Sequence, residues 1–438
     1  FFLTFLSFYV IIGFRKEVKM KFKTKKQLSF ALLRAVQRIK PDDPLKIVFD
    51  FIDWSFIPPL VEKFYSSQGN EAYNPVSIFK CFLLPYFGEA RSMNDVAEKL
   101  KFDTRLQFLC GFYDGNTPSS GTFSNHKSKW KDDTFYKIMR TLIAQLVAIG
   151  VLSGKNIAID SSHIFAYSNP KKQSDPDARW GCKHEDYYFF GYKIHLVVDT
   201  ETQLPIDAIV TPGNKADSPY AKPLIKGTKE LVSPETAAMD AAYDAHDNYQ
   251  ACVGAGITPI IDFNKRGKKP LPKDPNLFSV LKVPSTGSDL SRIGNNFFCP
   301  ATNLRLVRDG KDSQRANRQK ILCKHKNCPL SSKCKPLKGH GRTFYVYPTC
   351  DIRLYGDIPR DSDEWKLLYN LRTSVERCFS ELKGQHLLER PKVRGIVSTS
   401  IHAFLSIIAL LLKRLKDFLL QEKLKTCPAK GGVGIVTA

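Results

Sequence analysis

Two short apolar segments of this chain each end on an aspartate, and the residues between them have the composition of a β-hairpin. Residues 156–160 read NIAID and residues 236–240 read TAAMD. Residues 187–213 are rich in β-forming side chains and are interrupted by a turn at Asp199–Gln203, which predicts two antiparallel strands. Helical patterns and a further strand follow. Antiparallel strands followed by alternating helix and strand predict an α/β domain with a mixed sheet.

Residues 365–385 have the spacing of one helix with an apolar face and a polar face. The apolar stripe consists of Trp365, Leu368, Val375, Phe379 and Leu382. The polar stripe consists of Tyr369, Arg372, Glu376 and Lys383, whose spacing places them on a common helix face. A polar stripe turned toward a sheet indicates either chemistry or a network of salt bridges.

Asp160 and Asp240 are expected to lie side by side, because reactive residues gather where neighbouring strands end. Taken singly, either aspartate is equally compatible with a turn or a helix cap. Arg372 could likewise form only a weak pair with Glu376 across one helical turn. Together, however, three carboxylates with an adjacent Arg and Lys suit two-metal phosphoryl transfer with Mg²⁺ or Mn²⁺.

The charge of the chain indicates a polyanionic partner. It contains 66 Lys and Arg against 43 Asp and Glu, a net charge of +23. Nucleic acid is the first candidate for such a partner. A membrane is not expected, because the apolar runs at 1–14 and 401–412 are shorter than the ~20 residues that span a bilayer. The positive charges also follow the first run, whereas a secretory signal has them before it.

The order of these patterns predicts the domain organisation. We expect a basic N-terminal extension over 1–44, in which 1–19, preceding Met20, need not belong to the native protein. A helical DNA-binding-like domain is expected over 45–152, although a helical bundle used for packing fits equally. The catalytic domain is expected over 153–264 and 361–420, with a loop- and strand-rich insertion at 265–360 and a C-terminal tail at 421–438.

The insertion has the strongest local charge. Residues 265–342 contain 19 Lys and Arg, four Asp and no Glu, which is a net charge of +15. With so few acids as internal partners, most of these side chains must face solvent or a ligand. We expect the insertion to pack beside the acidic residues and to hold DNA by its backbone, with Lys265, Lys268, Lys269 and Lys273 contributing.

Cysteine usage fits a reducing compartment, since the eleven cysteines are an odd number and most are scattered singly. Four of them lie close together in the insertion: Cys299, Cys323, Cys328 and Cys334. Four thiolates can form a structural zinc site. Because the spacing is looser than paired CxxC motifs, four reduced cysteines in a basic region are an equal alternative.

The residues described above resemble a family of DDE insertion-sequence transposases. The spacing of Tyr369, Arg372, Glu376 and Lys383 is similar to the Tyr-Arg-Glu-Lys signature of one group of these enzymes. The contexts IAIDSSHI around Asp160 and AAMDAAYDAHDN around Asp240 resemble the other two acidic motifs. The segment from NPVSIFKCFLLPYFGEA to TPSSGTFSNHKSKW resembles the N-terminal helical domain often attached to them.

The resemblance implies an RNase H-like fold in which Asp160, Asp240 and Glu376 are the catalytic, metal-binding triad. It also implies that Tyr369, Arg372 and Lys383 contact the DNA of the transposon ends near the scissile phosphate. The expected partner is double-stranded DNA, bound by a homodimer or a larger assembly in the cytoplasm of a prokaryote, associated with the nucleoid. The expected activity is metal-dependent cleavage and strand transfer at terminal inverted repeats. A metal-dependent nuclease on the same fold and a non-catalytic DNA-binding derivative are the alternatives.

Overall fold

The structure is a computed structural model that divides into two compact units, residues 1–138 and 139–438. It describes residues 34, 36–66, 71–172, 174–184, 186–264, 291–293, 296–299, 302, 304–311, 319–325, 327–329, 343–346, 358, 360 and 362–426. Lys265, Lys268, Lys269, Lys273 and Cys334, which the sequence singled out, lie outside the described residues.

In its described part, the first unit is helical, as the sequence predicted. Its helices are α1 (Pro44–Phe51), α2 (Ile57–Val61), α3 (Pro75–Leu83), α4 (Met93–Phe102), α5 (Thr104–Cys110) and the start of α6 (Ser120–Ala148). Four of these helices begin at a side chain that accepts a backbone N–H, namely Asp43, Asn74, Ser92 and Asp103. Helix α6 is broken at Lys131, whose φ of 57° is not helical.

The second unit is built on a six-stranded mixed sheet. Its strands are β1 (Asn156–Phe165), β2 (Arg179–His184), β3 (Tyr187–Asp199), β4 (Pro205–Pro212), β5 (Thr236–Met239) and β6 (Thr258–Ile261). They are ordered β2-β3-β1-β5-β6, with β4 also paired to β3. The predicted hairpin is therefore confirmed as β3 and β4, whereas β2 was not predicted, since RWGCKH has no strand periodicity.

Helices cover this sheet and bury its apolar strands. They are α7 (Ala221–Lys229), α8 (His246–Gly254), α9 (Asp363–Asn370), α10 (Thr373–Gln385) and α11 (Ile396–Thr426). Helix α10 packs on β1 and β3, α9 on β5 and β6, and α11 and α7 on β4. Helix α11 is long and apolar enough to cross a membrane by length and composition alone, but 78% of its most apolar window is buried inside the protein. That burial is the pattern of a core helix.

The predicted insertion contains strands in its described part. Strands β7 (Ser291–Ile293), β8 (Asn296–Phe298), β9 (Arg305–Lys311), β10 (Gln319–Leu322) and β11 (Thr343–Val346) pair in chain order as an antiparallel sheet. An α/β catalytic region with a strand-rich insertion and a helical N-terminal region is thus the fold class that the sequence predicted.

Candidate active site

The sheet places Asp160 and Asp240 beside each other. Strands β1 and β5 are parallel and in register from Asn156–Thr236 to Ile159–Met239, so the next residue of each strand is one of the two aspartates. Neighbouring strands are about 4.8 Å apart. The register thus brings Asp160 and Asp240 together as predicted, but Asp160 lies in the middle of β1, which continues to Phe165, and not at the end of a strand.

Both carboxyl groups resist ionisation in this position. Burial raises the pKa of Asp160 to about 7, and the negative charge of Asp240 acts in the same direction. The pKa of Asp240 is also raised, chiefly by burial. Each group still accepts one backbone hydrogen bond, Asp160 from Ser161 N at 2.7 Å and Asp240 from Ala242 N at 2.9 Å. Burial therefore disfavours the ionised form of both acids, and a nearby positive charge would favour it.

Arg372 links the third acid to this pair. Its guanidinium donates to Glu376 Oε1 at 2.7 Å and lies 4.0 Å from Asp160 Oδ2. Its positive charge also lowers the pKa of Asp240, against the larger effect of burial. Arg372 thus contacts or influences all three of the carboxylates that the sequence identified.

Two aromatic rings support that guanidinium. Tyr369 stacks on Trp365 with ring centroids 4.7 Å apart, and Arg372 lies over the Tyr369 ring at 5.8 Å. Trp365 is buried against Ala238 of β5 and Ile260 of β6, which anchors this stack to the sheet. The stack therefore supports Arg372 in its position beside Asp160.

The prediction of one continuous helix over 365–385 is wrong in detail. Helix α9 ends at Asn370 and α10 begins at Thr373, with Arg372 between them. The connecting hydrogen bonds run from residue i to residue i−3, as in Arg372 N to Tyr369 O and Val375 N to Arg372 O. Because this tighter winding turns successive side chains differently from an α-helix, Tyr369 and Lys383 do not continue one straight stripe.

Lys383 lies away from the two aspartates. Its Nζ is 3.5 Å from His163 Nε2 and 3.7 Å from Glu389 Oε1. Since His163 follows Asp160 by three residues on β1, Lys383 lies roughly 10 Å along the strand from the acids. Among the four signature residues, Tyr369, Arg372 and Glu376 are gathered near the acids and Lys383 is not.

No metal-binding cluster is complete among the described residues. No group of three or more His, Cys, Asp or Glu side chains there lies close enough to hold a metal ion. This holds for the three acids, since the Arg372 guanidinium separates Glu376 from Asp160. It holds equally for Cys299, Cys323 and Cys328, and the zinc site stays a prediction because Cys334 is not described.

Neither Asp217 nor Asp244 caps a helix through its side chain. Asp217 precedes a short 3₁₀ turn without capping it and instead accepts from Lys193 Nζ at 2.9 Å, while its charge raises the pKa of Asp160. Asp244 is buried and accepts from Asn264 N at 3.0 Å. Asp217 is thus a fourth acid near the site, which sequence reasoning missed because its partner Lys193 is distant along the chain.

Three further polar residues near the acids in sequence have partners outside the site. Glu381 pairs with Arg414 and Lys413 of α11. His163 and His195 are buried, His163 against Phe165 and Phe189 and His195 against Tyr220. Val375, Phe379 and Leu382 of the predicted apolar stripe are also buried.

Comparison with known families places the chain in one of them. Residues 154–412, which include all three acids, match the family model described as Transposase DDE domain. The chain belongs to the transposase DDE domain family. Residues 33–129 match a second model, described as Transposase domain (DUF772), and cover most of the described helical unit. The RNase H-like fold that the sequence resemblance implied follows from this membership together with the mixed sheet.

Individual relatives are distant. The probable transposase for insertion sequence element ISH11 of Halobacterium salinarum, found in two strains, is 24% identical over 205 residues, or 46% of this chain and 58% of that protein. The chain therefore matches little more than half the length of these curated relatives. A cryo-EM structure of the piggyBac transposase synaptic complex with hairpin DNA aligns with 89% of this chain and 77% of that chain, at 12% identity and a TM-score of 0.38. Transposases of the DDE domain family act on DNA and generally use divalent metal ions.

Proposed function

We propose that this protein is a DNA transposase that cleaves DNA at the terminal inverted repeats of an insertion sequence and joins the freed ends to target DNA. One observation carries the proposal. Asp160 and Asp240 lie at matched positions on adjacent parallel strands, and Arg372 connects Glu376 to them. This arrangement provides three carboxylates on a scaffold of the transposase DDE domain family.

The donor set fits divalent metal ions. Two adjacent carboxyl groups whose pKa values are raised by burial gain from a cation that favours their ionised forms. The Arg372 guanidinium already supplies one positive charge to this position. We infer that Mg²⁺ or Mn²⁺ is held by Asp160, Asp240 and Glu376, where it would activate the attacking oxygen and stabilise the leaving one.

The remaining roles follow from the positions of the side chains. Half of the Glu376 side chain is exposed, with a relative accessibility of 53%, so it is free to exchange Arg372 for a ligand beside Asp160. Arg372, once released, presents its donors to a DNA phosphate at the same edge, which suits the forked geometry of a guanidinium. Tyr369 supports that orientation by stacking, and Lys383 binds the DNA backbone further along β1.

The partners we propose follow from the reaction. The net charge of +23 suits duplex DNA, both the element ends and the target. Joining two ends to one target requires both ends to be held together, which favours a homodimer or larger assembly. We place the reaction on the nucleoid in a prokaryotic cytoplasm, where such DNA resides.

The test uses duplexes taken from the DNA that flanks the gene on each side. With Mg²⁺, the full-length protein is expected to cut these duplexes at the repeat boundary and to join the new 3′ ends to a supercoiled plasmid. Cutting without joining would identify a nuclease instead. Binding without cutting, in both Mg²⁺ and Mn²⁺, would identify a non-catalytic DNA-binding protein and would contradict the proposal.

A further inference from the structure

In its described part, the second unit (residues 139–438) exposes aromatic side chains at one place. Three exposed aromatic residues of this unit are Tyr167, Trp180 and Tyr188, with 52%, 56% and 64% of their surface accessible. All three lie at the end of the sheet formed by β2, the start of β3 and the residues after β1. Large exposed aromatic groups are costly in water, so their clustering indicates a binding surface.

The register of the β2–β3 hairpin explains why these rings face outward. Trp180 pairs with Phe190 and Cys182 pairs with Tyr188, so these four residues share one face of the hairpin. Phe189 points to the opposite face and is buried against His163. Gly181, opposite Phe189, admits no larger residue, because an added Cβ would lie 2.4 Å from the Phe189 ring and from the carbonyl oxygen of Gly213.

Gly181 and Phe189 therefore fix the hairpin in one register. In that register Trp180 and Phe190 lie together, with ring centroids 5.6 Å apart. A slip of one residue would move the aromatic side chains to the buried face. The rings of Trp180 and Tyr188 therefore face outward because the Gly181–Phe189 contact holds the hairpin in this register, and not because they lie in a loose loop. We call the exposed rings of Trp180 and Tyr188, together with the half-buried ring of Phe190, the aromatic platform.

Positive charge surrounds the platform. Arg179 and Lys183 on β2 are exposed, and Arg394 lies over the Tyr167 ring at 5.7 Å. Burial chiefly lowers the pKa of Lys383, and the positive charge of Lys183 lowers it further. The charge of Lys183 is therefore felt at Lys383, which lies nearer to the acids. Asp186, in the β2–β3 turn, is an exposed acid beside the platform, whereas Asp175 and Asp177 are taken up by hydrogen bonds to Tyr192 and to backbone N–H groups.

Aromatic rings interleaved with cations are the chemistry that binds unpaired bases, because every base can stack on a ring while the cations hold its phosphates. A second copy of this chain is the less suitable occupant, since its own charge of +23 would repel a basic surface. A duplex would offer phosphates but no base faces to the rings. We propose that the aromatic platform binds a single-stranded segment of DNA by stacking of its bases.

The position of the platform relates this inference to the proposed function, on which its biological role depends. Phe190 is six residues from Leu196, the β3 residue that pairs with Asp160. The platform is therefore roughly 20 Å from the acids. When one DNA strand loses its partner during cleavage, its unpaired bases would stack on the platform at this distance from the cleavage site.

Tryptophan fluorescence gives a direct test, because Trp180 is the exposed member of the four tryptophans. Trp54, Trp130 and Trp365 are buried, with at most 8% of their surface accessible. The experiment titrates the full-length protein with an oligothymidylate of about 12 nucleotides, within the usual range of single-strand sites. EDTA is present, so that binding is measured without cleavage and does not depend on the proposed activity.

The oligonucleotide is expected to quench the fluorescence of the wild-type protein, and the quenching should disappear in Trp180→Phe. By fluorescence anisotropy of a labelled oligonucleotide, Trp180→Ala and Tyr188→Ala should each weaken binding by about tenfold. The matched control is Val253→Ala, which removes an exposed apolar side chain from α8 and should leave the affinity unchanged. Trp180→Phe, which keeps a ring, should retain most of the affinity.

Three results would overturn the proposal. One is wild-type affinity for the oligonucleotide in both Trp180→Ala and Tyr188→Ala. Another is equal loss of affinity for a duplex of the same length, which would make the surface a general contact for the DNA backbone. The last is a dimer, by light scattering, that dissociates in Trp180→Ala while single-strand affinity persists, which would assign the platform to a second copy of the chain. Failure of strand joining with intact quenching would affect only the proposed function.

Discussion

Segment 160–165 of strand β1 carries different charges at its two ends, Asp160 in the middle of the strand and Phe165 at its C-terminus, which we call the acidic end and the basic end. At Asp160, carboxylates are gathered at the sheet edge with Arg372 as a cation between them. Toward Phe165, Lys383 and Lys183 lie near His163, and Arg390 lies over the Phe165 ring at 4.8 Å. The ends are roughly 16 Å apart, the length of five residues of strand. In the function that we propose, this difference separates metal binding from DNA binding along one strand.

The largest expected effect is at the acidic end. Asp160→Asn, Asp240→Asn and Glu376→Gln should each reduce DNA cleavage by on the order of 10³-fold or more, because each removes a metal-binding oxygen. Binding to duplex DNA should persist, since it depends mainly on phosphate contacts. The matched control is Glu381→Gln, another acid of α10, which pairs with Arg414 and should remain active. A fully active Asp160→Asn protein would show that the acidic end does not take part in DNA cleavage.

A smaller effect tests the helix that connects the two ends. Leu382 of α10 is fully buried. It lies between Glu376 and Lys383 in the sequence and directly precedes Lys383. Leu382→Ala should lower the free energy of unfolding by about 2–5 kcal/mol through the lost contacts and the cavity left behind. Leu367→Ala, which removes an exposed leucine of α9, should change it little. Urea denaturation compares the two, and an equal loss would show that α10 is not packed as described.

The next prediction separates the two cations of the signature. In DNA-free protein, Arg372→Gln should tighten Mn²⁺ binding by about twofold to fivefold, since the guanidinium then no longer competes for Asp160 and Glu376. Lys383→Gln should leave Mn²⁺ binding unchanged and instead reduce the slope of log affinity for duplex DNA against log salt by about 0.9. If both variants changed the same property, the separation of the two ends would be wrong.

The smallest effect concerns pH at the basic end. Burial, together with the charges of Lys383 and Lys183, lowers the pKa of His163 to about 4, below its ordinary value. Between about pH 6.5 and pH 4 the unfolded chain binds a proton that the folded protein does not, so stability falls as the pH falls through this range. His163→Asn should therefore lose less thermal stability between pH 7 and pH 5 than the wild type. His246→Asn, at an exposed histidine, is the control and should behave as the wild type does.

The sequence predicted the acidic end well because its determinants are local. Apolar segments that end on Asp160 and Asp240 become strands, and parallel pairing alone brings their ends together. The basic end was predicted less well. Lys383 was expected beside the acids, but it lies about 10 Å beyond Glu376 along α10, which packs on β1, and so it reaches His163 instead.

Strand β2 and Asp217 could not be read from the sequence for a related reason. Strand β2 is held by Phe189 packing over Gly181, a contact that leaves no periodicity in β2 itself. Asp217 reaches the site through its partner Lys193 on a different strand. Both depend on tertiary contacts, which override local pattern.

Asp160, Asp240 and Glu376 are expected to bind metal together. The most direct measurement is anomalous X-ray scattering from crystals of the full-length protein soaked in Mn²⁺. The predicted result is a peak within about 2.5 Å of carboxylate oxygens of both Asp160 and Asp240, with Glu376 turned away from Arg372 and toward the ion. A peak elsewhere, or no peak while Arg372 still lies between Asp160 and Glu376, would contradict the claim.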